Sequence, residues 1–103
     1  MTTELNSANF DQEVLAHAGD VLVDFYTPDC GPCRSMAPVL EDIATERAST
    51  LKIVKVDAIQ NSDLAASFRV NAVPTFVLFK NGRAQKQFIG MRSKKDLLAW
   101  IDS

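Results

Sequence analysis

Val21-Leu22-Val23-Asp24-Phe25-Tyr26-Thr27-Pro28-Asp29-Cys30-Gly31-Pro32-Cys33 sets a strand against a helix, with two cysteines at the junction. Its first six residues are a continuous β-prone run between Gly19-Asp20 and Pro28. That pattern suits a strand covered on both faces, as in a parallel or mixed α/β sheet. Asp24 is the anomaly within it. From Cys33 onward Met36, Val39, Leu40, Ile43 and Ala44 recur on one helical face while Arg34, Glu41, Asp42 and Arg47 lie elsewhere, predicting a helix to about Ala48 with Pro38 inside it. Cys30 and Cys33 are the only cysteines. Two thiols three positions apart at a strand-to-helix junction are placed to make and break a disulfide between themselves, so the expected chemistry is redox.

Working outward, Leu51 to Asp57 is a second strong strand, and the intervening helix supplies the crossover that a parallel pair requires. Upstream, Thr3-Glu4-Leu5 reads as a short edge strand. Asn9, with Gln12 three positions on, is a candidate cap for a first helix from Asn9 to Ala18, closed by Gly19. His17 lies in that helix and has no assigned role. Downstream, Asn61 is the expected cap of a short helix through Leu64, Ala65 and Phe68. Thr75 to Lys80 is a third long strand, Asn81-Gly82 is a two-residue hairpin turn, and Gln85 to Ile89 returns antiparallel. Ser93, with Asp96 at the third position, caps a last helix carrying Leu97, Leu98 and Ile101 inward, with Trp100 at its edge.

The chain of 103 residues predicts one domain spanning residues 1–103, with the apolar content and 23% charged fraction of an ordinary globular protein. Eleven basic residues are scattered and the net charge is −2, which leaves no electrostatic footprint for nucleic acid. The first residues form no apolar leader, and no run reaches the ~20 apolar residues that cross a bilayer, so neither export nor a membrane partner is expected. Two cysteines so close together cannot staple a secreted fold, and a normally reduced pair in the cytoplasm fits better. Zinc or an iron–sulfur centre usually takes four ligands. Two cysteines and a distant His17 would need a dimer, so no metal is expected.

Val23-Asp24-Phe25, Cys30-Gly31-Pro32-Cys33, Pro38, Lys55-Val56-Asp57, Val73-Pro74-Thr75-Phe76, Asn81-Gly82 and Gly90 together resemble the thioredoxin family over essentially the whole chain. The resemblance implies a thioredoxin fold, a three-layer α/β/α arrangement with a central mixed five-stranded sheet and four helices, and a cis peptide before Pro74. It implies a protein-disulfide reductase that cycles Cys30 and Cys33 between dithiol and disulfide to maintain redox homeostasis, with no other cofactor. The implied partners of this monomer are disulfide-containing proteins and a thioredoxin reductase as electron donor. One departure stands beside the motif: the family pattern has Trp before the first cysteine, and this chain has Asp29.

Cys30 precedes the helix, where unpaired N–H groups and the positive dipole end favour a thiolate by ~0.3–2 kcal/mol, which makes it the candidate nucleophile. Cys33, one turn inside, is the candidate resolving thiol. Asp29 opposes the thiolate: a like charge roughly 7 Å away at an effective dielectric of about 20 to 80 costs ~0.6–2.4 kcal/mol, comparable with the dipole. Asp29 is therefore a modulating residue. Burial of Asp24 among apolar neighbours would raise its pKa and make it a proton acceptor near neutrality. The resemblance places it under Cys33 with Lys55 nearby to moderate the shift. It also implies a shallow substrate groove of Gly31, Pro32, Val73, Pro74, Gly90 and Met91. The alternative is a thioredoxin-fold interaction module in which Asp29 has weakened general reductase activity.

Overall fold

β2 (Asp20–Tyr26) runs through the middle of a five-stranded mixed sheet, in the order β1 (Thr2–Leu5), β3 (Leu51–Asp57), β2, β4 (Thr75–Lys80), β5 (Arg83–Ile89). The computed structural model describes residues 2–103. β1 and β2 both pair with β3 in parallel, and β4 is antiparallel to β2 and β5. α1 (Gly31–Glu46) crosses from β2 to β3; α2 (Ser62–Ser67) follows β3 and α3 (Lys94–Asp102) ends the chain. A short π-helical segment, Asp11–Leu15, is the fourth helix.

The side-chain alternation of β2 divides the interior into two cores. Leu22, with Ile53, Phe76 and Leu78 of the neighbouring strands, packs against Met36, Leu40, Leu97 and Ile101 of α1 and α3. Val21, Val23 and Phe25 face the other way, onto Phe10, Val14 and Ala65. Both faces of β2 are therefore covered, which explains why its sequence shows no polar alternation. The second core is closed by aromatic contacts, with the rings of Phe68 and Phe79 5.4 Å apart and those of Phe10 and Phe79 6.0 Å apart.

The first helix is shorter than the expected Asn9–Ala18, and its organiser is Asn6. The Asn6 carboxamide oxygen accepts the N–H groups of Ala8 (2.9 Å) and Asn9 (3.2 Å), while Asn9 returns a bond to the Asn6 N–H at 2.8 Å. This Asx turn takes up Asn9 before it can act as a cap. At the other end Gly19 (φ +108°) donates to the Asn81 side chain, and the Asn81 N–H donates to the Gly19 carbonyl. The chain there belongs to the hairpin, so the helix stops early. Asn61 also differs from expectation. It precedes α2 but makes no side-chain cap; its side chain accepts from Ser7 and donates to the Asp57 carbonyl. Ser93 does cap α3, through the Asp96 N–H at 3.1 Å.

α1 starts two residues before the expected Cys33, because Cys30 is its N-cap: the Cys30 sulfur accepts the Cys33 N–H at 3.1 Å. It ends at Glu46 rather than Ala48, where Arg47 leaves the helix and forks onto the Asp102 carboxylate at 2.8 and 2.7 Å. Asn81 (φ +52°) and Gly82 (φ +81°) give the β4–β5 hairpin the left-handed turn its twist requires. A Cβ on Gly82 would collide with the Leu15 carbonyl oxygen. Gly82→Ala should therefore lower unfolding free energy by roughly 2–4 kcal/mol, combining backbone strain and a backbone clash. Urea denaturation checks this, and a variant within 0.5 kcal/mol of the parent would show that the hairpin does not need glycine there.

Candidate active site

The C-terminal end of β2 delivers the chain to Cys30, and the first turn of α1 presents Cys33. The two are joined as a disulfide with Cα atoms 5.2 Å apart. Pro32 fits the first turn of α1, where its missing N–H removes no helix bond. Cys30 is 9% exposed and Cys33 5%, so the sulfurs lie almost flush beneath exposed Gly31 and Pro32. The Cys30 Sγ that accepts the Cys33 N–H is also where a thiolate would be held after reduction, by a backbone dipole already aimed at it. Asp29 is exposed immediately before Cys30.

Register brings the rest of the predicted groove to the same edge of the sheet. Phe25 pairs with Thr75, so Val73 and Pro74 stand beside the chain leaving β2. Thr75 in turn pairs with Ile89, and the Gly90 N–H donates to the Pro74 carbonyl at 2.9 Å. The Val73–Pro74 peptide is cis. Pro74 itself is buried and Val73 half-buried, whereas Met91 is 55% exposed. Ile59, 69% exposed just beyond β3, is an apolar surface residue that sequence reading passed over.

Asp24 shares a sheet face with Leu22, and therefore points to the side covered by α1. It is 1% exposed, and its Oδ1 is buried without a hydrogen-bond partner. Burial pushes its pKa up from 3.8 to about 7, against the pull of Lys55 and with some help from Glu4. Lys55 pairs in register with Asp24 on one side and with Glu4 on the other. Its ammonium lies 4.7 Å from the centre of the Tyr26 ring, whose hydroxyl donates to Glu4 at 2.8 Å. A cleft of about 100 Å³ between Tyr26, Lys55, Arg34 and Cys33 opens this region to solvent.

Sequence reading named the cysteines, Asp24 and Lys55 as candidates and passed over Glu4 and Tyr26. Tyr26 was within reach, since two residues after Asp24 on one strand means the same face. Glu4 was not, because the register of parallel strands distant in sequence leaves no local signal. A concavity of about 710 Å³ lies at the opposite end of the sheet, against His17 and Thr50, and contains none of the cysteine motif. Among the described residues no group of three or more His, Cys, Asp or Glu side chains could hold a metal ion, and no helix is long and apolar enough to cross a membrane.

The family model described as Thioredoxin matches residues 1–103. The chain is 44% identical over 97 residues to a thioredoxin of Mycobacterium tuberculosis, covering 94% of this chain and 84% of that protein. It is equally similar, 44% over 97 residues, to a thioredoxin of Listeria monocytogenes, covering 94% and 92%. A bifunctional thioredoxin reductase/thioredoxin of Mycobacterium leprae is 41% identical over 98 residues, which are 95% of this chain and 21% of that longer protein.

Proposed function

Because this chain belongs to the thioredoxin family, we propose that Cys30 is the attacking thiol and Cys33 the resolving thiol in a two-step reduction of protein disulfides. The protein is a dithiol–disulfide oxidoreductase, and the Cys30–Cys33 pair is its redox group. In the first step the Cys30 thiolate attacks one sulfur of a substrate disulfide. That S–S bond breaks, a Cys30–substrate disulfide forms, and the other substrate sulfur leaves as a thiolate. In the second step the Cys33 thiol gives its proton to the Asp24 carboxylate and attacks the Cys30 sulfur. The mixed disulfide breaks and the second substrate sulfur leaves. Two electrons have passed to the substrate, and the protein holds an internal disulfide.

The observation that carries this reading is the buried Asp24 oxygen without a partner, on the sheet face that α1 covers. A carboxylate kept there near its neutral point can take and return a proton at ordinary pH. Lys55 moderates that shift. Gly31, Pro32, Val73, Pro74, Gly90 and Met91 form the substrate groove, with the Val73 backbone offering strand-like hydrogen bonds to an extended segment. Asp29, in place of the family's Trp, adds a carboxylate at the mouth and favours partners with a basic group beside their cystine.

The M. leprae protein, whose name joins a thioredoxin reductase to a thioredoxin, supports a reductase as electron donor. The protein works as a single-domain monomer in the cytoplasm, without a further cofactor. A redox titration of the Cys30–Cys33 pair against dithiothreitol buffers tests the direction of the chemistry. The expected result is one two-electron couple near the roughly −270 mV characteristic of thioredoxins. A couple near about −180 mV or above would make the protein an isomerase or oxidase instead. Absence of turnover with any reductase would favour the specialised interaction module.

A further inference from the structure

Three side chains of alternating charge stand in one row across three adjacent strands. Glu4 of β1 is in register with Lys55 of β3, and Lys55 with Asp24 of β2. In-register residues of parallel strands point to the same face, so Lys55 stands between two acidic residues in this row. One of these, Glu4, is exposed; the other, Asp24, is 1% exposed. Tyr26, one step further along β2 on the same face, reaches across β3. Its hydroxyl is 2.8 Å from both Glu4 oxygens, and its ring lies against the Lys55 ammonium at 4.7 Å from the centroid. Burial and the bond to Glu4 push the phenol above its ordinary range, so it remains a donor wherever Asp24 titrates.

We propose that Glu4 and Tyr26 are positioning residues for the resolving step: Tyr26 pins Glu4 and Lys55 together, so that Lys55 is shared between two carboxylates and only part of its charge reaches Asp24. The inference rests on Asp24 as the proton acceptor of Cys33. An ammonium given wholly to Asp24 would hold it ionised and weaken it as a base. An ammonium already matched by Glu4 leaves it closer to neutrality. The other charged or titratable groups around this row are Asp57 of β3, and Cys33, Arg34 and Glu41 of α1. Of these, Glu41 is hydrogen-bonded to Thr2 of β1. Glu41 also lies within electrostatic reach of Lys55, from the α1 side.

The test is the Asp24 titration midpoint, followed by the side-chain carboxyl carbon resonance in the reduced protein, together with the pH profile of disulfide reduction. Glu4→Gln keeps a hydrogen-bond acceptor but removes the charge. It should lower the midpoint by about 0.3–1 unit, as expected for a charge two strand spacings away. Tyr26→Phe should move it in the same direction by less, and the double variant no further than Glu4→Gln alone, because Tyr26 acts through Glu4. The acid limb of turnover should follow. An unmoved midpoint in Glu4→Gln, or additive shifts in the double variant, would overturn the inference while leaving the acceptor role of Asp24 standing. A moved midpoint with an unmoved turnover limb would overturn the acceptor role, and with it the catalytic meaning of the row.

Discussion

Cys33→Ser should hold its substrates. Mixed with a disulfide-containing protein, this variant should form a covalent one-to-one adduct through Cys30 that is stable to gel electrophoresis and released by dithiothreitol. The wild type should show almost none. Without the second thiol, the Cys30–substrate disulfide has no internal attacker three residues away. Cys30→Ser should form no adduct, and its turnover should fall by on the order of 10³-fold or more, as when the nucleophile of a covalent enzyme is removed. Both substitutions are near-isosteric and sit in the first turn of α1, and at the N-cap position of Cys30 Ser is a better cap than Cys, so neither should prevent folding. Turnover by Cys30→Ser, or adducts formed through Cys33, would exchange the two roles and remove the argument from the helix start.

The strand, helix and turn that frame the cysteines are legible in the sequence, because they depend on local pattern. The run from Val21 to Tyr26, the periodicity after Cys33 and the Asn81-Gly82 turn each carry their meaning within a dozen residues. The structure keeps all three, shifting only element ends. The first helix was misjudged for a physical reason. Asn6 and Asn9 both offer cap chemistry, and the choice is made by their mutual hydrogen bonds and by the hairpin drawing Gly19 away, neither of which a propensity reading contains. Asn61 is a similar case: its oxygen is claimed by Ser7, fifty-four positions earlier.

The site divides along the same line. Cys30, Cys33 and Asp24 lie on one contiguous strand-to-helix unit, so all three can be picked out from one short stretch of sequence. Glu4, Lys55 and the Pro74–Gly90 edge come together only through strand register, and Glu4 enters only when β1 is docked beside β3. The cysteines stand beyond the C-terminal end of β2, while the concavity of about 710 Å³ lies at the opposite end of the sheet, away from them.

Asp24→Asn should make the protein more stable above neutral pH and slower as a reductase, and the two effects share one cause. The folded state holds the Asp24 carboxyl near pKa 7, against 3.8 for the free side chain, chiefly through burial. Since folding raises this pKa, the folded protein binds more protons than the unfolded chain between those values. The contribution of Asp24 to stability is thus fully present below about pH 4, is lost as the pH rises toward 7, and stays lost above it. At about 1.4 kcal/mol per unit, the interval comes to about 4 kcal/mol. Asn cannot ionise. Its amide brings a donor into a site where one oxygen already lacks a partner, so the net gain at pH 8 should be nearer 2–4 kcal/mol, shrinking to nothing or reversing at pH 4. Denaturant titrations of both proteins at pH 4, 6 and 8 read this directly. In the same variant the proposed proton acceptor of Cys33 is gone, and reduction of a protein disulfide at pH 7 should slow by roughly 10- to 100-fold, with the mixed disulfide accumulating. The stability gain without the slowing would make Asp24 a buried charge with no part in proton transfer. The slowing without the gain would mean that water reaches the carboxylate through the cleft beside Lys55, so that Asp24 ionises in the folded protein at little cost.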